Sequence, residues 1–192
     1  FSASLNRLGS ATGNVATAAE VYDRLYAASL RTGAGIADSV AACPRFSVAA
    51  RDIGATNDQV LRLVSGIQGF GRLAGTSAAE MSAATLQLGQ ALASGTLQGD
   101  ELCSILEAMP QLAQALAGEL GMSVGELRKA GAEGRLTADQ VFPALLRAAE
   151  GVERKLTGLP LTLEQGTGIF ATAMARFLGQ LDQAIGASRS LA

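Results

Sequence analysis

The chain has no histidine and no tryptophan, only two tyrosines and two cysteines, and just two lysines among its fifteen basic residues. Each shortage removes a class of function. Without histidine the commonest general base, the commonest metal ligand and the usual partner of a serine or cysteine nucleophile are all missing. Cys43 and Cys103 lie far apart and show no metal-type spacing. A disulfide and two free thiols both stay open, with two buried thiols in a reducing compartment favoured. No run of 18 uncharged apolar residues occurs, so no bilayer-spanning segment is expected. Charge of one sign is scarce too. The net charge is −2, divided as +1 over residues 1–96 and −3 over residues 97–192, too mild for a nucleic-acid footprint or a polybasic membrane patch. The chain opens at Phe1 without a charged stretch ahead of an apolar one, so no signal peptide is expected and the sequence reads as part of something longer.

What is present is alanine, leucine and glycine. Hydrophobic residues make up 48% of the 192 residues, yet aromatics only 4%. A chain of this length can bury roughly 70% of its unfolded surface and so needs no disulfide or metal to hold a core. Cores rich in alanine and poor in aromatics suit closely spaced helices, since strand faces favour β-branched and aromatic side chains. The expected fold is therefore all-α: a compact multi-helix domain of short helices with a longer amphipathic C-terminal helix.

Helical spacing runs along most of the chain. A short helix is expected over 2–12 and a firmer one over 15–32, carrying Val21, Tyr22, Leu25, Tyr26 and Ala28. A third, over 36–53, contains Pro44, which predicts a kink or break near Ala42–Pro44. Four starts show a Ser or Thr followed three residues later by Glu or Gln: Thr56 with Gln59, Ser77 with Glu80, Ser123 with Glu126, Thr137 with Gln140. Each fits a reciprocal capping box. The helix from residue 57 is expected to bend or fray from about residue 68, because Gly66, Gly69, Gly71 and Gly75 interrupt it. Helices follow at 78–93, at 100–120 (two meeting at Met109–Pro110, or one kinked there), at 124–132 and at 138–157. The last, 162–186, has Phe170, Ala173, Met174, Phe177, Leu178, Leu181 and Ile185 on one face and Gln165, Thr172, Gln180 and Gln183 opposite. That apolar face could be core or could meet a partner helix.

Gly95-Thr-Leu-Gln-Gly-Asp-Glu-Leu102 echoes Gly134-Arg-Leu-Thr-Ala-Asp-Gln-Val141. Both place a glycine stop, a leucine under the turn and an acidic first turn of a new helix. An array needs three or more units, so one turn chemistry used twice is preferred to a solenoid.

No residues assemble for catalysis. Asp100 and Glu101 fall in a helical first turn, where negative charge already favours the positive dipole end. Cys103 sits in an apolar stripe and is read as a small hydrophobe. The glycines of 66–75 lack the strand and the Lys-Ser/Thr of a phosphate loop. Arg147, Arg154 and Lys155 alternate with Glu150 and Glu153, as on a solvated face with a Glu150–Arg154 pair.

The stretch from Leu86 to Leu156 resembles the tape-measure domain of phage tail tape-measure proteins. The resemblance is carried by Leu86-Gln-Leu-Gly-Gln-Ala-Leu-Ala-Ser-Gly95, Gly99-Asp-Glu-Leu102, Pro110 in a helical run ending at Leu120-Gly121, Gly125-Glu-Leu-Arg-Lys129, and Gly134 to Leu146. Val21 to Tyr26 and Leu159 to Thr162 are similar in the flanks. It implies a structural assembly module of a phage or prophage-derived tail. Such a protein sets tail length, occupies the tube lumen of the virion and is released at infection, with a stage in the host cytoplasm during assembly. Its implied partners are the tail tube protein, tail assembly chaperones and tail tip proteins. It implies no catalytic residues, no metal and no cofactor, and neither nucleic acid nor membrane for this fragment.

The expected organisation is a helical domain over 1–160, most recognisable at 86–157, and a C-terminal amphipathic helix over 161–192 able to lead into a rod. Self-association through 162–186 is a further expectation. Candidate interaction positions are Leu97, Gly99, Glu101, Leu102, Pro110, Phe170 and Phe177. The competing expectations are a cell-wall-degrading or accessory enzymatic domain, which would need a cleft acid such as Glu101 or Glu107, and a helical peptide-binding adaptor.

Overall fold

The computed structural model describes residues 2–12, 15–156 and 163–189. Their order is α1 (Ser2–Thr12), α2 (Val15–Thr32), α3 (Ile36–Asp52), α4 (Asn57–Ala74), α5 (Ala78–Ala93), β1 (Thr96–Leu97), α6 (Gly99–Ala108), α7 (Pro110–Glu119), α8 (Val124–Ala132), β2 (Leu136–Thr137), α9 (Ala138–Leu156) and α10 (Leu163–Arg189). The all-α expectation holds.

Local chemistry sets the helix ends. At Ser123 the Glu126 amide donates to Oγ at 3.2 Å while the Ser123 amide donates to the Glu126 carboxylate at 2.7 Å. The same reciprocal box forms at Thr56–Gln59 and Ser77–Glu80. At the fourth expected box, Thr137 instead lies in β2, and the Ala138 amide donates to the Gly95 carbonyl at 2.9 Å. Pro110 is the first residue of α7, and Met109, at φ −137° and ψ 74°, divides α7 from α6. The 100–120 stretch is therefore two helices.

Two expectations fail in part, for one reason. Of the kink or break predicted near Ala42–Pro44, the break is absent: α3 runs through Pro44 from Ile36 to Asp52. Pro143 likewise sits inside α9. An interior proline costs about 3 kcal/mol, and here it is offset by burial along α3, where Cys43 and Phe46 are enclosed and α1, α4 and α5 all pack. Of the bend or fraying predicted from about residue 68, the fraying is also absent, since α4 continues to Ala74. Its glycines are contact points. A Cβ on Gly66 would lie 2.2 Å from Ala149 Cβ, one on Gly69 3.0 Å from Val152 Cγ1, and one on Gly71 2.6 Å from Met81 Sδ. α4 thus lies against α9 at a separation a larger side chain would forbid.

The same device recurs. Gly89 lets α5 approach Phe46 of α3, while Gly99 and Gly131 bring α6 and α8 together against Ala132 and Leu102. Phe46, Phe70 and Phe142 are fully buried in the core, and Tyr22 is buried with them.

The echoed turns meet each other. Thr96 pairs with Thr137 and Leu97 with Leu136 in an antiparallel two-stranded bridge. Gly95 and Gly134 turn the chain at φ 89° and 65°, a conformation open to glycine at little cost. Both leucines are buried beneath the bridge.

One polar seam crosses the core. Ser29 and Ser39 hydroxyls lie 3.1 Å apart, and Gln68 Nε2 donates to Ser39 Oγ at 2.8 Å, linking α2, α3 and α4.

Gly66→Ala should destabilise the fold by about 2 kcal/mol through overpacking, although helix propensity alone favours alanine by about 1 kcal/mol. Denaturant titration should show part of the loss recovered in the double variant with Ala149→Gly. A Gly66→Ala protein as stable as the parent would show that the close approach is dispensable.

Acid sensitivity follows from the caps. The Ser77 hydroxyl and amide hold Glu80 below the usual carboxylate range, the Ser123 amide and hydroxyl do so for Glu126, and the Arg24 guanidinium does so for Asp58. A carboxyl depressed in the folded state contributes stability above its unfolded pKa and loses it as pH falls through the folded value. The denaturant midpoint should therefore drop between about pH 6 and about pH 3, and less so in Glu80→Gln/Glu126→Gln.

Candidate interaction surface

α10 is amphipathic, and it docks with its polar side. Thr172 is 2% exposed, and its Oγ1 accepts from the Ile36 amide at 3.4 Å. The N-cap of α3 is Gly35, which has no side chain to offer, so a hydroxyl from the far end of the chain satisfies one of that helix's unpaired amides. Arg176 reaches Asp23 on α2 at 2.9 Å, and its guanidinium carbon sits 4.3 Å from the centre of the Tyr26 ring. The ion pair involves an exposed carboxylate and is worth about 1 kcal/mol or less. The cation–π contact adds a similar amount.

The other side is left in water. Phe170 and Phe177 are 66% and 56% exposed, and Met174, Leu178 and Leu181 are exposed with them. The choice between core and partner-facing left open by the spacing resolves against core: the Thr172 side faces the bundle. Glycines at 166, 168, 179 and 186 each cost α10 about 1 kcal/mol relative to alanine. A helix so weakened ordinarily draws its stability from packing an apolar face, and that face is the uncovered one.

The turn positions fare differently. Leu97 and Leu102 are buried in the core, and Gly99 lies against Ala132. Pro110 is exposed at the start of α7. Glu101 opens α6, and its side chain lies outside the described residues. An open groove beside Gly99 is lined, among the described residues, by Gln98, Gly99, Asp100, Gly131, Ala132 and Gly134, which between them offer one carboxylate and no cation or nucleophile.

Elsewhere chemistry is sparse. Glu107 is exposed on α6. Among the described residues no group of three or more His, Cys, Asp or Glu could hold a metal ion, and no helix is long and apolar enough to cross a membrane. Both cysteines are free, Cys43 buried and Cys103 half-buried. Burial pushes the Cys43 thiol up to about 11, which keeps it unreactive near neutral pH. The expected Glu150–Arg154 pair falls on a side chain outside the described residues. Arg147 instead bonds Glu119 at 2.6 Å, tying α9 to α7.

Sequence spacing placed Thr172 on the polar face but missed its cap, and missed Arg176 and Gln68 altogether. One clue to the first was available: a helix beginning after Gly35 has no side-chain cap of its own.

Thr172→Val keeps the shape but orphans the Ile36 amide, at about 1 kcal/mol. Hydrogen exchange should rise across Leu163–Arg189 and the first turn of α3 while α4 and α9 stay protected. Adding Arg176→Ala should increase it further. Unchanged protection of α10 in the double variant would mean that other contacts hold it.

No curated protein and no solved structure matches this chain. The family model described as tape measure protein matches residues 2–183. With that match spanning nearly the whole of a bundle whose Gly95–Leu102 and Gly134–Val141 turns pair as one unit, the chain belongs to the tape measure protein family.

Proposed function

We propose that this domain is an anchoring or capping module of the tail ruler, held in the tube lumen, and that it does not itself gauge length. Membership of the tape measure family makes the chain a structural component of a phage tail. The finer assignment rests on one observation: the helices fold back on each other around the α4–α9 contact. As one continuous helix 192 residues would span roughly 290 Å. Folded as a compact domain, the same chain has a radius of gyration of about 16 Å. A ruler measures by extended rise, so the residues spent here add little span.

Tail tube protein, assembly chaperones and tail tip proteins are the proposed partners, met in the host cytoplasm during assembly and in the virion afterwards, with release at infection. The division into a helical domain over 1–160 and a C-terminal helix over 161–192 is part of the proposal. In it, α10 continues past its bundle contacts at Thr172 and Arg176 toward the rod. Pro110 and the Gly99 turn are proposed contact positions on the bundle, and Phe170 and Phe177 on α10. No observation favours a cell-wall-degrading role or a peptide-binding adaptor.

In-frame removal of residues 2–156 from the phage protein distinguishes anchoring from measuring. Electron micrographs should show far fewer tails, with any survivors of parental length. Tails shortened by about 1.5 Å per deleted residue would overturn the anchoring role.

A further inference from the structure

Gln68 ends the polar seam on an unanswered oxygen. It is 2% exposed on α4, and its Oε1 has no hydrogen-bond partner among the described residues. Turning the amide round does not cure this. The Ser39 hydroxyl donates to the Gly35 carbonyl at 3.0 Å, so toward Gln68 it can only accept, and Nε2 is the atom that must face it. A buried acceptor left bare carries the full penalty of its lost hydration.

Gln68 also lines a small cavity between α3, α4 and α5, together with Asp38, Ser82 and Thr85. The cavity opens about 10 Å³ to a water-sized sphere, close to the least that holds one water. Its side-chain oxygens are acceptors with no hydrogen to spare. Gln68 Oε1 and the Asp38 carboxylate carry none. The Thr85 hydroxyl spends its hydrogen on the Met81 carbonyl at 2.7 Å, and the Ser82 hydroxyl spends its own on Asp38 Oδ1 at 2.9 Å. Such a lining disfavours an anion and suits a donor. Ala34, Ala78 and Met81 make the remaining wall apolar, so a bare metal cation would fall short of the about six oxygens that hard cations take.

We propose that this cavity binds one water molecule, which donates to Gln68 Oε1 and to Asp38 or Thr85 and so joins α3, α4 and α5. Buried waters of this kind answer polar groups that protein atoms leave unpaired. The site goes beyond the lumen assignment and does not depend on it, because it is a property of the folded chain.

A high-resolution crystal structure of the purified 192-residue chain tests it. One water should appear within about 3.2 Å of Gln68 Oε1 and of an oxygen of Asp38 or Thr85. In solution, relaxation dispersion of water oxygen-17 should count one long-lived water fewer in Gln68→Met, which keeps the side-chain length and removes the acceptor. Circular dichroism should confirm that the variant keeps its helix content. Should it fail to fold, the crystal structure of the parent decides alone. A dry cavity, a protein donor on Gln68 Oε1, or an unchanged count in folded Gln68→Met would overturn the proposal. So would a thermal midpoint that rises with sodium or potassium chloride but not with choline chloride at equal ionic strength and is flat in Gln68→Met, since the occupant would then be a cation.

Discussion

The approach of α4 to α9 at Gly66 and Ala149 is the constraint that fixes the remaining helices. With no Cβ on Gly66 or Gly69, α9 lies along α4 closely enough for Val152 to pack over Gly69. α7 then packs on both, and α5 reaches α9 as well as α3. Gly71 draws Met81 of α5 toward α4, so one helix sets the distances to two neighbours. Glycine costs an isolated helix roughly 1 kcal/mol at each position. The return is dispersion contact between the glycine-bearing face of α4 and the Ala149–Val152 face of α9, gained at separations where an added methyl group would clash. That exchange explains how a core with few aromatic residues closes.

Much of the fold was legible because its helix starts obey local rules. Ser77 with Glu80 and Ser123 with Glu126 act within four residues of one another, so the sequence alone contains both partners. Pro110 was legible for the same reason, since its ring suits a first helical position whatever packs nearby. Gly66, Gly69 and Gly71 were misjudged because their role lies in α9 and α5, more than a dozen residues away in every case but one. Local propensity sees only the entropy they cost. At Pro44 the break did not occur for a like reason: the penalty is local, while the burial of Cys43 and Phe46 that offsets it is tertiary. Thr137 had the right spacing for a cap, but its strand pairing is with residues some forty positions back. At the candidate surface, period alone identified the stripe from Phe170 to Leu181 but not which side of α10 meets the bundle. That depends on Thr172 answering an amide left bare at Gly35.

α10 reverses the usual order of an amphipathic helix. A few directional contacts, the Thr172 hydrogen bond and the Arg176 ion pair, orient it on the bundle without consuming its apolar area. Three of the six phenylalanines are sealed in the core and two stand in solvent on this one helix. Water solvates a released hydroxyl or guanidinium well, so contacts of that kind hold a helix weakly and can be exchanged. An apolar stripe behaves otherwise, because its cost persists until something covers it. The bundle side of α10 is thus the adjustable attachment, and the outward side is the demanding one.

The paired turns bear on how far such a unit can extend. In a repeat array each unit exposes the face that the next one covers, so length grows with copy number. Here the two related segments spend their backbone pairing on each other: Thr96 opposes Thr137, Leu97 opposes Leu136, and the Ala138 amide closes onto Gly95. The leucines beneath them are buried by that mutual pairing, which leaves neither turn its own leucine face to offer a third copy. The 39-residue echo therefore closes the bundle instead of propagating it, and a protein that needs length must find it in helix lying outside this closed pair.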